Sequence, residues 1–105
     1  MRHNKVEGNL LLDYYGTLLT EHQSEVLNDY FKDDLSMQEI AENYGVSKSA
    51  ISDIINRTVI QLKEYEDKLN LIKQANKLDK IIEELEKDSN INLRYINKLK
   101  QLNRG

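Results

Sequence analysis

The 105-residue chain has no cysteine, no proline and no tryptophan, and it has only four glycines. Without cysteine there can be no disulfide, no thiolate zinc site and no cysteine nucleophile, which fits a reducing compartment. Scarce glycine and missing proline remove the main punctuation of turns and sheets. The Leu, Ile, Lys, Glu and Gln found instead favour helix. His3 and His22 are the only histidines and lack a ligand-like spacing, so neither a metal nor another cofactor is expected. No run approaches the roughly 18 consecutive apolar residues of a membrane span. The opening Met1-Arg2-His3-Asn4-Lys5-Val6-Glu7-Gly8 also lacks the apolar stretch of a secretory signal. The expectation is a cytoplasmic protein with no membrane insertion.

Length sets a further bound. A helical chain of this size can bury one modest core, while a deep cofactor cleft would leave too little apolar surface to offset chain entropy. The acids Asp79, Glu83, Glu84 and Glu86 read as a solvated helix face with Lys80 and Lys87 as partners, and nothing orients His22 as a base. An enzyme is not expected.

The formal net charge of −3 argues at first against a nucleic-acid partner, but the charge is segregated. Residues 1–45 hold three basic and nine acidic residues, and the remainder holds twelve basic and nine acidic. From Ser89 onward Arg94, Lys98, Lys100 and Arg104 occur with no acid. An acidic first part followed by a mildly basic remainder points either to a polyanionic partner for the second or, for the tail alone, to a solvated helix face.

The apolar pattern predicts helices throughout. Leu10, Leu11, Leu12, Tyr14 and Tyr15 form a first helix from about Glu7, closed by Gly16 as a glycine C-cap. Thr20 opens a second helix with Gln23 at the reciprocal capping position and Val26, Leu27, Tyr30 and Phe31 on one face. Ser36 opens a third with Glu39 three residues on. Gly45 supplies positive φ for a tight turn, and Ser47 caps a long fourth helix. Its apolar stripe changes phase, which predicts a break near Gln74 to Lys77 and a fifth helix from Lys77 to Lys87. Asp88-Ser89-Asn90 reads as a turn, and Ile91, Tyr95, Ile96, Leu99 and Leu102 as the apolar face of a last helix.

The segment Met37 to Asn56 is the most informative. Ile40 and Tyr44 face a core, Ala41 is small where two helices cross, Gly45 turns the chain, Val46 plugs the turn, and Ile51 and Ile54 bury the inner side of the next helix. That is the pattern of a helix-turn-helix. Such a motif presents Ser47, Lys48, Ser49, Ser52 and Asp53 outward, with Asn56 and Arg57 one turn further. Lys48, Arg57 and, further along, Lys63 suit phosphates, and Ser49, Ser52 and Asn56 suit base edges. The expected fold is all-α, a three-helix core of the winged-helix type without a wing, at residues 20–63. Residues 64–105 form a C-terminal helical extension of the same single domain. Leu69, Ile72, Leu78, Ile82, Leu85, Ile96, Leu99 and Leu102 exceed what that core needs, so the last helices either fold back or pair with a second copy, and a homodimer is expected.

Leu19-Thr20-Glu21, Leu35-Ser36-Met37-Gln38-Glu39-Ile40-Ala41 and Tyr44-Gly45-Val46-Ser47 resemble the helix-turn-helix of sigma-70 region 4. With Leu11-Leu12-Asp13-Tyr14-Tyr15-Gly16 upstream and Leu62-Lys63-Glu64-Tyr65 downstream, the chain is more similar to the small YlxM family, over roughly Leu10 to Lys87. The resemblance implies a DNA-binding regulatory protein acting on duplex DNA and taking part in the signal recognition particle pathway. The alternative it implies is an adaptor that binds the RNA or the GTPase of that particle. The outward face at Ser47 to Asp53 lacks the arginines and glutamates usual in sigma region 4, so promoter recognition in the sigma manner is not expected, and without the other sigma regions that melt a promoter neither is a stand-alone sigma factor.

Overall fold

The computed structural model describes residues 3–87 and 93–104. Among these there are six α-helices and no strand: α1 (Lys5–Tyr15), α2 (Glu21–Phe31), α3 (Met37–Tyr44), α4 (Lys48–Leu69), α5 (Leu71–Glu86) and α6 (Leu93–Arg104). The all-helical expectation holds. The chain divides into two units, Met1–Leu69 and Asn70–Gly105, so the first unit carries α4 unbroken past residue 64.

Each start in the first unit has a local cause. Asn4 accepts from the Glu7 amide and caps α1. Thr20 with Gln23, and Ser36 with Glu39, form complete capping boxes ahead of α2 and α3, satisfying amides that lack helical partners. Gly45 adopts φ 67°, and the Val46 amide reaches back to the Ala41 carbonyl at 3.0 Å. This is a left-handed helix end that glycine adopts without steric cost. Ser47 Oγ then accepts from the Ala50 amide at 3.0 Å and starts α4.

The first unit's core is built by stripes from all four helices. Gly8, Leu11, Leu12 and Tyr15 of α1 are buried, as are Val26, Leu27, Tyr30 and Phe31 of α2 and Ile40 and Ala41 of α3. They close on Ile51, Ile55, Val59 and Leu62 of α4. Polar ties fix the packing from outside. Tyr15 donates from its phenol to Glu66 Oε1 at 2.5 Å, and Tyr44 donates to Asp29 Oδ2 at 3.3 Å. Burial first, then the negative charges of Asp29 and Glu25, hold the Tyr44 phenol above its ordinary pKa, so this tie of α3 to α2 gives up its proton at higher pH than an exposed tyrosine. In the second unit Ile82 and Ile96 are buried between α5 and α6, with Lys100 paired to Glu86.

Several expectations are corrected. Gly16 does cap α1, but with φ −58° and not as a left-handed end, and the chain tightens there into a single 3-10 turn, Gly16–Leu18. The break falls at Asn70, the left-handed residue between α4 and α5 at φ 55°, and not at Gln74 to Lys77. Gln, Ala and Lys there are good helix formers, whereas asparagine tolerates the left-handed region. Val46 does not plug the turn: it is 47% exposed, because its backbone amide, not its side chain, closes the helix end. Tyr95 and Leu102 lie on the exposed side of α6, at 65% and 79%. The turn at Asp88-Ser89-Asn90, Ile91 and the Arg104 side chain lie outside the described residues.

Two core positions yield predictions. A Cβ added to Gly8 would stand closer than 3.0 Å to carbons of the Phe31 ring, and that ring is itself buried. Overpacking of this kind costs about 1–3 kcal/mol, against the ~1 kcal/mol that alanine gains over glycine in a helix. Gly8→Ala is therefore expected to lower the denaturant midpoint, and an unchanged or raised midpoint would refute the tight α1 to α2 contact. Thr58 is fully buried and its Oγ1 has no hydrogen-bond partner. Thr58→Val keeps the shape and removes a desolvated hydroxyl, so stability is expected to rise by about 1 kcal/mol. In a domain of this size that is a melting point higher by about 4–8 °C.

Candidate nucleic-acid interface

The turn at Gly45 and the cap at Ser47 leave the first three turns of α4 with one face in the core and the other outside. Ile51 and Ile55 take the inner side, while Ser47, Lys48, Ser49, Asp53 and Arg57 are exposed and Ser52 and Asn56 half-buried. Ser49, Ser52 and Asn56 follow one another at helical spacing and form a polar line. Two shallow depressions flank it. One, of about 650 Å³, runs between Tyr30, the start of α3 at Ser36, Met37 and Gln38, and Lys48 on α4. The other, of about 450 Å³, lies along Ser47, Asp53 and Asn56, and Ser49 and Ser52 line both.

Seven of the eight expected site residues thus come together. Lys63 does not: it stands fifteen residues beyond Lys48, about 22 Å along the helix, where its ammonium lies 3.6 Å from Glu7 of α1. Arg57 pairs with Asp53 one turn back at 3.1 Å. Both side chains are largely exposed, and such a pair is worth at most about 1 kcal/mol, so Arg57 can exchange it for another anion. Lys48 extends over the first depression. The Ser47 hydroxyl serves the helix start, and the Asn56 carboxamide lies against Ser52 Oγ and the His3 imidazole.

Sequence reasoning missed the contribution of Ser36, Met37 and Gln38. The signal was available in the motif itself, because the steep crossing of its two helices brings the start of the first beside the start of the second. His3 had no signal, as its contact spans 53 residues. Among the described residues no group of three or more His, Asp or Glu side chains could hold a metal ion, and no helix is long and apolar enough to cross a membrane.

Comparison with known proteins is consistent with this architecture. The model of a family described as "Putative helix-turn-helix protein, YlxM / p13 like" (UPF0122) matches residues 2–102. A UPF0122 protein of Clostridium perfringens is 47% identical over 89 residues, covering 85% of this chain and 80% of its own. One from Bacillus licheniformis is 47% identical over 79 residues, 75% and 74% of the two chains. One from Halalkalibacterium halodurans is 44% identical over 77 residues, 73% and 71%.

Proposed function

The chain belongs to the YlxM / p13-like helix-turn-helix family, and from that premise we propose that it is a cytoplasmic, non-enzymatic regulatory protein that binds duplex DNA through the first turns of α4. The observation that carries the reading is the polar line Ser49, Ser52 and Asn56, flanked by Lys48 and Arg57, on the outer face of the second helix of the motif. A helix presented this way fits the major groove. Lys48 and Arg57 take phosphates, with Lys63 as a third contact further along. Ser49, Ser52 and Asn56 face base edges, and Asp53 can accept from a cytosine amine. The protein acts as a homodimer, its two recognition helices about 34 Å apart on successive turns of the duplex. Exposed Leu93, Tyr95 and Leu102 on α6 supply apolar surface for that pairing.

A second reading takes the signal recognition particle as the partner, through its RNA or its GTPase. Exposed Tyr95 and Lys98 on α6 favour it. One titration separates the two: full chain and the Lys48→Ala, Arg57→Ala double variant against random duplex DNA and particle RNA at low salt. Duplex binding that the double variant loses supports the first reading. No duplex binding at micromolar protein, with particle RNA bound equally by both chains, supports the second.

A further inference from the structure

Asn56 is the last residue of the polar line on α4, and its carboxamide is held at both ends. Its Oδ1 lies 2.6 Å from Nε2 of His3, and its Nδ2 donates to Ser52 Oγ at 3.5 Å. The imidazole is itself fixed. Tyr30 meets it edge-on with centroids 6.4 Å apart, Phe31 does so at 6.3 Å, and the adjoining Asn4 caps α1.

An unrestrained asparagine presents its acceptor and donor in either order, because its last torsion is broad and two-fold. The carboxamide offers two acceptor lone pairs and two N–H donors. His3 and Ser52 occupy one of each, which leaves one lone pair on Oδ1 and one N–H on Nδ2 in a set order. Bidentate reading of adenine needs that pair: Oδ1 accepts from N6 and Nδ2 donates to N7. A flipped amide would offer the reverse order and meet adenine with like groups.

We propose that His3 is a positioning residue of the interface, which donates from Nε2 to Asn56 Oδ1 and so fixes the carboxamide in the orientation that selects adenine. His3 needs no contact with nucleic acid to do this. The inference rests on the duplex reading above and adds to it the base class read by Asn56 and the residue that enforces it.

Selection from a randomised duplex pool tests it, run on the full chain and on His3→Ala, His3→Gln and Asn56→Ala. A bidentate pair discriminates between bases by about 5- to 150-fold, so the unsubstituted chain is expected to enrich adenine at one position of its site. Asn56→Ala loses that preference. His3→Ala loses most of it while its affinity for unselected duplex stays within about twofold, a separation that a merely structural role would not give. His3→Gln, which again offers an N–H, recovers part of the preference. The proposal is overturned if His3→Ala keeps the full adenine preference, if Asn56→Ala leaves every preference intact, or if His3→Ala loses affinity for all duplexes alike. Failure of the duplex reading is visible separately, since the unsubstituted chain would then enrich no sequence and bind no duplex, and the inference would fall with it.

Discussion

Affinity for random duplex DNA is expected to fall on the order of a thousandfold between about 50 and 200 mM salt, if two protomers together neutralise about six phosphates. The size of the fall decides which side chains take part. Three contacts per protomer require Lys63 to leave Glu7 and join Lys48 and Arg57. If Lys63 stays with α1, four phosphates remain and the fall shrinks to about 150-fold. The unit Met1–Leu69 holds seven basic and thirteen acidic residues, so attraction must come from the local face and not from net charge. Substituting Lys48 by alanine should therefore flatten the salt slope by about 1 per protomer and weaken binding evenly across sequences. Filter binding at four or five salt concentrations measures both. A slope near zero would sink the proposal.

Ile51→Ala should be the most damaging single truncation tested on α4, and Ile60→Ala on the same helix should be nearly silent. Ile51 is fully buried in the first unit's core, whereas Ile60 is 58% exposed. Cutting a buried isoleucine to alanine costs about 2–5 kcal/mol through lost burial and the cavity left behind. At about 4–8 °C per kcal/mol for a domain of this size, the melting point of Ile51→Ala drops by at least about 8 °C. The exposed site should change stability by no more than about 0.5 kcal/mol. Equal effects at the two positions would contradict the orientation of α4 on which the whole interface depends.

What could be read from the sequence divides by distance along the chain. The capping boxes at Thr20 with Gln23 and Ser36 with Glu39, the left-handed Gly45 and the Ser47 cap all act within a few residues, and all of them form as the residue types imply. The buried stripe of α4 followed from helical spacing. Local chemistry misled at Asn70, because asparagine tolerates a left-handed backbone without advertising one. The contacts that complete the fold were illegible for a different reason: Gly8 against Phe31, Tyr15 with Glu66 and His3 with Asn56 join residues that no periodicity connects. The outward face at Ser47 to Arg57 was legible as a set, since the motif fixes which side of α4 faces away from the core. That the Asn56 amide is already engaged was not.

The helix boundaries also bear on how the first unit assembles. Starts and stops that close within a few residues cost little chain entropy, so α2, α3 and the beginning of α4 can form transiently before any distant contact exists. With no proline in the chain, its unfolded molecules contain no slow prolyl isomers and form one kinetic population. What remains to limit refolding is the return of α1 to the far end of α4, where Tyr15 must find Glu66 across 51 residues. The slow step expected of this small protein is the closing of the long loop between α1 and α4.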